Sequence, residues 1–222
     1  MKTAVIIPAR GNSKRLSEKN ILKFNNIPLV AHSILYAKAN PQVADDIYVT
    51  TDNDKIKAIA RQYGAKVIDR PKSISDDYAT TVSALKHALE SLETKYDAVI
   101  LLQPTNPLRP KHLLENAYKK FVESHCDSLM TVSVNTKKLG KISNGRFYPY
   151  TYKMGQRSQD IEPLYFENGL LYISKTELIL DNKILGDLNL PLIVDHPFAS
   201  VDIDTIDDFK YAEFVLKQYS ND

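Results

Sequence analysis

Hydrophobic and polar positions along the chain change period in a repeating order. Short apolar runs at Thr3–Pro8, Asp46–Thr51, Lys66–Ile68, Ala98–Gln103 and Ser128–Val134 read as strands. Between them, apolar residues recur at spacings of three and four. Ile56, Ile59, Ala60 and Tyr63 share one helical face, and Val82, Leu85, Leu89 and Leu92 share a second. Leu113, Leu114, Ala117, Tyr118, Phe121 and Val122 mark a third. Helix starts are expected near Asn53, Tyr78 and Pro110, and another at Pro28, followed by Leu29, Val30, Ile34 and Leu35. Strand character returns at Gly169–Ser174 and Pro191–Asp195. A last helix carries Phe209, Ala212, Leu216 and Tyr219 on one side, behind a capping box at Thr205-Ile206-Asp207-Asp208.

Strands alternating with helices predict an α/β fold: a mostly parallel sheet covered on both faces, hence three layers. Ligands of such sheets sit beyond the carboxyl ends of the strands. That rule selects Pro8–Lys23, Thr51–Asp54, Gln103–Arg109 and the turn after Val201. The pattern breaks over residues 135–168, a polar, tyrosine-rich stretch with Gly140, Gly145 and Gly155 and no clear period. It reads as a β-ribbon or an extended insert in a single domain spanning 1–222.

Charge changes the picture locally and not globally. The net charge of +2 gives no field that would favour nucleic acid or an acidic membrane. No apolar run approaches the roughly 20 residues that span a bilayer. The amino terminus lacks the pattern of a secretory signal, and the single cysteine, Cys126, excludes an internal disulfide. Cytoplasm is the expected compartment. Within IPARGNSKRLSEKN, however, Arg10, Lys14, Arg15 and Lys19 face one acid, Glu18. Only Gly11 interrupts this loop, so it is neither a G-x-G-x-x-G fingerprint nor a Walker loop. A turn of Gly11, Asn12 and Ser13 can present backbone N–H groups, while Arg10, Lys14 and Lys19 neutralise a polyphosphate. On spacing alone, a solvated basic loop is the alternative.

Near the other end stands Asp202-Ile203-Asp204. In an extended segment both carboxylates point to the same face. Two hard oxygen donors suit Mg²⁺, which takes one or two carboxylates plus substrate phosphates. The alternative is that Asp204 caps the last helix. Gln103-Pro104-Thr105-Asn106-Pro107-Leu108-Arg109 reads as a strand–helix turn that its prolines keep from becoming helical. The histidines form no metal-binding spacing; His32, His87 and His112 are expected on helix faces, and Cys126 as a small core residue. No G-x-S-x-G elbow exists to carry hydrolase chemistry.

The stretch IPARGNSKRLSEKNI resembles the first motif of the acylneuraminate cytidylyltransferases, which make CMP-sialic acid and its CMP-linked relatives. DRPKSISDDYATT at 69–81, LLQPTNPLRP at 101–110, ENGLLYIS at 167–174 and VDIDTIDDF at 201–209 follow in family order, so the resemblance covers nearly the whole chain. It implies a Rossmann-like nucleotide-diphosphosugar-transferase sandwich, and a homodimer in which the 135–168 insert reaches the partner. It also implies transfer of CMP from CTP to the anomeric hydroxyl of a nonulosonic sugar acid, with release of pyrophosphate, in cell-surface polysaccharide biosynthesis.

The roles implied by resemblance are these. Arg10, Lys14 and Lys19 stabilise the triphosphate and leaving pyrophosphate, with Ala9, Gly11, Asn12, Ser13 and Asn20 beside them. Arg70 and Thr80, or Thr81, meet the cytosine and ribose, while Asp77 is equally readable as a helix cap. Asp202 and Asp204 hold Mg²⁺, or Mn²⁺; no side chain is an obvious general base, and on chemical grounds alone Asp204 is the group that could accept the attacking hydroxyl's proton. Gln103, Tyr165 and Asn168 contact the sugar acid, and Arg157, with Lys153 second, meets its carboxylate. Phe166 stands where some sialic acid enzymes carry arginine, and Arg15 where many carry glycine. These departures direct the expectation toward a legionaminic or pseudaminic acid type. The rivals are a cytidylyltransferase for KDO, whose first motif ends in a T-R-L-P-G-K type, and a non-catalytic CTP-binding domain.

Overall fold

A computed structural model describes residues 1–219. Its centre is β1 (Thr3–Pro8), an apolar strand buried on both faces. Val5 and Ile7 enter one core and Ala4 and Ile6 the other, the period-2 division of a strand sandwiched between helical layers. A short hairpin of β2 (Lys23–Phe24) and β3 (Ile27–Pro28) follows, then α1 (Leu29–Lys38), β4 (Asp46–Thr51), α2 (Asp54–Gln62) and β5 (Lys66–Asp69). Next come α3 (Thr81–Glu90), β6 (Ala98–Leu101), α4 (Leu113–Glu123) and β7 (Ser128–Asn135). The hairpin β8 (Gly140–Ser143) and β9 (Arg146–Pro149) leads to β10 (Leu164–Lys175), α5 (Thr176–Leu180), β11 (Asn189–Ile193) and α6 (Ile206–Tyr219).

The main sheet has seven strands in the order β11-β7-β10-β6-β1-β4-β5. All neighbours are parallel except β10, which runs antiparallel to both β6 and β7. Val30 and Ile34 of α1, Ile56 and Ala60 of α2, and Leu114 and Phe121 of α4 cover one face. Leu85 and Ala88 of α3 and Ile179 of α5 cover the other. The three-layer α/β expectation therefore holds. A third cluster joins Ala212 and Val215 of α6 to Phe24, Leu29, Leu108, Val201 and Ile203. It anchors the segment that carries Asp202 and Asp204. Truncating Ile203 to alanine would cost about 2–5 kcal/mol and loosen both carboxylates.

Several boundaries differ from the sequence expectations, each for a local reason. Asn53 caps α2 by accepting from the Lys55 and Ile56 N–H groups. The third helix starts at Thr81 and not near Tyr78, because the Thr80 hydroxyl accepts from the Ser83 N–H at 3.2 Å. Asp76 meanwhile takes the Tyr78 and Ala79 N–H groups, so Asp77 caps nothing. The fourth begins at Leu113, after a turn in which the Leu113 N–H reaches the Pro110 carbonyl. The capping box of α6 forms, with the Asp208 N–H on Thr205 Oγ1 and the Thr205 N–H on Asp208 Oδ2. Thr205, not Asp204, is the cap.

The β2–β3 hairpin escaped the sequence reading because each strand has only two residues. Its turn puts Asn25 and Asn26 at φ 47° and 62°, the pair of positive values that a tight hairpin requires. The 135–168 insert is a ribbon that continues from the sheet. Leu164 pairs with Asn135, so the strand expected at Gly169–Ser174 starts five residues earlier, and the β8–β9 hairpin stands beyond it.

Candidate active site

A cleft of about 670 Å³ lies where the carboxyl ends of the parallel strands meet the first loop. Its walls come from every segment that the strand-end rule selected except Thr51–Asp54. Pro8 to Asn20 form one side, Arg70 and the loop leading into α3 a second, and Gln103 to Thr105 with Asp202 and Asp204 the third.

The loop is held by ion pairs. Lys19 is buried, and its Nζ donates to the Ile203 carbonyl at 2.9 Å and to Asp204 Oδ1 at 2.8 Å. Arg15 lies 2.6 Å from the other Asp204 oxygen. On the opposite side, Asp77 takes Arg10 at 3.1 Å and Lys14 at 2.7 Å. The Arg10 guanidinium also donates to the Asp76 carbonyl. Asn20 closes the loop on itself by donating to the Arg10 carbonyl at 2.9 Å. The neighbouring Lys14 and Arg10 keep the Asp77 carboxyl below its ordinary range.

The carboxylate segment is extended, with Val201 and Ile203 buried and Asp202 and Asp204 turned to the cleft. Two backbone ties fix it. The Ile203 N–H donates to the Thr105 carbonyl at 2.8 Å, and Asn106 Nδ2 donates to the Val201 carbonyl at 2.8 Å. Water reaches Asp202, yet the concave wall partly desolvates it. That burial raises its carboxyl above the ordinary range, Thr105 opposes the rise, and Asp204 reinforces it.

The two aspartates are chemically unequal. Both Asp204 oxygens are engaged by cations, one the buried Lys19 and the other the exposed Arg15, whereas Asp202 forms no salt bridge among the described residues. No three His, Cys, Asp or Glu side chains gather among the described residues as a self-contained metal cage. Hard oxygen donors in a cleft also lined by Arg10, Lys14 and Lys19 fit Mg²⁺, which takes phosphates and water as its remaining ligands.

Of the residues named from sequence, Arg10, Ser13, Lys14, Lys19, Asn20, Arg70, Thr80, Gln103, Asp202 and Asp204 line this cleft. The Arg70 guanidinium is buried and donates to the Thr50 carbonyl at 2.6 Å; burial lowers its pKa to about 10, opposed by Asp52. Thr80 spends its hydroxyl oxygen on the cap. Ala9 is fully buried, and its N–H goes to the Thr50 carbonyl. Gly11 and Asn12 line a smaller recess beside Asn53. The Gly11 N–H is not presented to the cleft, because Asp52 Oδ1 takes it at 2.8 Å.

Tyr165, Asn168 and Gln103 line a second groove of about 910 Å³, which shares Asp202 with the first cleft. The Asn168 side chain is buried. It donates to Ser133 Oγ at 3.0 Å and accepts from the Leu170 N–H at 3.2 Å, which holds the bulge in β10. Arg157 and Lys153 line neither space. Arg157 forks onto Asp160 within the ribbon at 2.7 and 2.9 Å. The sequence reading passed over Arg15 as a contact of Asp204, Thr105 and Asn106 as the ties of the carboxylate segment, and Glu167 as a wall of the second groove. None carries a local signal, since each acts through residues distant in the chain.

A mostly parallel α/β sheet with a cationic loop and an aspartate pair facing one strand-end cleft defines a nucleotide-binding transferase architecture. The chain belongs to the cytidylyltransferase family, whose pattern it matches over residues 4–215. It is 33% identical to a pseudaminic acid cytidylyltransferase of Campylobacter jejuni, with 98% of this chain and 97% of that one aligned. It is 34% identical to an N-acylneuraminate cytidylyltransferase of Escherichia coli, over 99% of this chain and 53% of the longer relative. Among solved structures, it superimposes on a CMP:2-keto-3-deoxy-manno-octonic acid synthetase complexed with CTP. The TM-score is 0.72 at 16% identity, with 98% and 99% of the two chains covered, a likeness of fold.

Proposed function

We propose that the chain transfers CMP from CTP to the anomeric hydroxyl of a nonulosonic sugar acid. The observation that carries this reading is the convergence of Lys19 and Arg10 with Asp202 and Asp204 on one cleft. CTP lies with its phosphates along Arg10, Lys14 and Lys19 and its nucleoside toward Arg70, Thr80 and Thr81. The sugar acid enters from the second groove past Gln103 and Tyr165. The anomeric oxygen forms a bond to the α-phosphorus, the bond to the β-phosphate oxygen breaks, and pyrophosphate leaves. Arg10, Lys14 and Lys19 neutralise the leaving charge, and the fixed walls supply orientation.

The hydroxyl proton passes to Asp202, in place of the Asp204 role expected from sequence, since Lys19 and Arg15 occupy both Asp204 oxygens. Asp202, with Asp204 beside it, would hold Mg²⁺. When bound, the cation supplies charge neutralisation at the α-phosphate. CTP as substrate implies a cytoplasmic enzyme; no helix among the described residues is long and apolar enough to cross a membrane.

The ribbon supports a homodimer. Ile142 is 79% and Tyr150 70% exposed there, beside exposed Phe147, Tyr148 and Met154. Such a patch on a protruding arm fits a second copy. Arg157 and Lys153, remote from the cleft of their own chain, would then serve a partner's site.

The test is pyrophosphate release from each nucleoside triphosphate, offered with a panel of nonulosonic acids and KDO. Release with CTP and a nonulosonic acid is expected. Preference for KDO, or binding of CTP without release, would refute the reading.

A further inference from the structure

The strand-end rule selected Thr51–Asp54, yet this turn lines no part of the main cleft. Its contacts run to the basic loop instead. β1 and β4 pair in parallel as far as Pro8 and Thr50, and the Ala9 N–H continues the ladder to the Thr50 carbonyl at 3.1 Å. β4 ends at Thr51, and at the next step a side chain takes the place of its backbone: the Gly11 N–H donates to Asp52 Oδ1 at 2.8 Å. Arg10 lies between these two ties, and its own carbonyl accepts from Asn20 Nδ2 at 2.9 Å. The Arg10 backbone is thus held on three sides before any phosphate arrives.

The turn that carries the acceptor is itself fixed. Thr51 Oγ1 takes the Asn53 N–H at 3.2 Å, and the Thr51 carbonyl takes the Arg70 N–H at 3.0 Å. Asn53 Oδ1 caps α2 through the Lys55 and Ile56 N–H groups. Gly11 approaches this turn so closely that a Cβ would lie 2.8 Å from both Cβ and Nδ2 of Asn53, whose amide cannot swing away without releasing the cap. Lys55 adds an ion pair with Glu18 at 2.6 Å, but both side chains are exposed and such pairs contribute little. The Gly11–Asp52 tie therefore carries the junction. Charge alone would make a carboxylate here unfavourable, since it repels a polyphosphate. The buried Arg70 guanidinium offsets part of that charge: burial lowers its pKa to about 10, Asp52 opposes the fall and Arg10 adds to it.

We propose that Asp52 is a positioning residue for the nucleotide: through the Gly11 N–H it extends the β1–β4 ladder one step beyond the sheet and sets where Arg10 meets the phosphates. It acts through Arg10 and touches no substrate. This rests on the phosphate path read above and adds to it a residue outside the cleft.

The experiment titrates CTP and inorganic pyrophosphate, each with Mg²⁺, into wild type, Asp52→Ala, Asp52→Asn, Gly11→Ala and the double variant Gly11→Ala with Asp52→Ala. It also measures the KM, at saturating CTP, of the sugar acid that wild type uses best in the panel above, and thermal melting verifies that each variant folds. Asp52→Ala is expected to bind both phosphate ligands about fivefold or more weaker, while the sugar-acid KM stays within about twofold. Asp52→Asn, which keeps the acceptor oxygen, is expected to return binding to within about twofold of wild type. Gly11→Ala reproduces the loss, and the double variant binds no weaker than the worse single one, because both changes break the same tie. Unchanged or tighter binding in folded Asp52→Ala overturns the proposal, since the carboxylate then acts only as a repelling charge. An equal loss for CTP and the sugar acid overturns it too, as the mark of a generally loosened fold. In either case the phosphate path stands if Arg10→Ala and Lys19→Ala lose pyrophosphate affinity; if neither does, that reading falls as well.

Discussion

Lys19 Nζ lies 2.8 Å from Asp204 Oδ1, across 185 positions of sequence. This contact joins the basic first loop to the carboxylate segment. Lys19 is buried and also holds the Ile203 carbonyl, so its ammonium is positioned before any substrate arrives. Lys19→Ala leaves Asp204 facing Arg15 alone and removes the fixed cation from the proposed phosphate path. Turnover is expected to fall about a hundredfold or more. Steady-state kinetics on a variant with native circular dichroism provide the measurement; activity within a factor of two or so of wild type would contradict the role.

Asp77 acts in the opposite sense. It neutralises Arg10 and Lys14 in the protein alone, so a triphosphate must displace it or share its partners. Asp77→Asn should tighten CTP and pyrophosphate binding, by about two- to fivefold given the exposure of the pairs. Isothermal titration at low and high salt would read this, with the gain shrinking as salt rises. Weaker binding in the variant would mean instead that Asp77 orients Arg10 in the complex.

Much of this arrangement was legible in the sequence, and the limits follow from range. The apolar run of β1 and the alternation Val201, Asp202, Ile203, Asp204 write their burial directly into period 2. Local rules therefore found the sheet, the loop and the direction of both carboxylates. Pairing partners are another matter. Nothing near Lys19 names Asp204, and nothing near Arg10 names Asp77, because ion pairs depend on how loops converge. The bulge in β10 was hidden for the same reason, since its ties come from Asn106, Arg109 and Thr131. Gly11 looked free to bind phosphate only because Asp52, the acceptor of its N–H, lies 41 positions away.

Asn168 separates structural from contact roles. Its buried amide donates to Ser133 of β7 and accepts from Leu170 within the bulge of β10. Asn168→Ala leaves these polar groups unsatisfied and should cost about 1–3 kcal/mol of stability. Urea denaturation measures that directly. A sugar-acid KM that rises with no loss of stability would instead identify Asn168 as a direct contact.

The ribbon makes a prediction about assembly. Ile142→Lys with Phe147→Lys puts charge into the exposed apolar patch of β8 and β9, which contributes nothing to the core clusters. Folding should be intact, while sedimentation shifts from dimer to monomer. If Arg157 serves a partner's site, activity should fall in step with the dimer fraction and recover at high protein concentration. A fully active monomer would refute that contribution.

Asp202 links stability and chemistry with opposite signs. Its carboxyl is raised above the ordinary range by burial and by Asp204, so the folded chain binds that proton more tightly than the unfolded chain does. By linkage, this group's contribution to stability falls as pH rises from the unfolded pKa through the folded one, and at neutral pH its charge is a small net cost. Asp202→Asn should therefore melt no lower than wild type at neutral pH, and the difference should shrink toward acid. On the proposed reading, turnover requires the ionised form, to take the proton and to hold the cation. The wild-type kcat/KM profile should lose activity on an acid limb as Asp202 protonates. The variant should lose turnover by orders of magnitude. Calorimetric melts across pH, with kinetics on the same samples, decide it: a variant less stable than wild type at neutral pH would mean that the Asp202 charge is already compensated in the free protein.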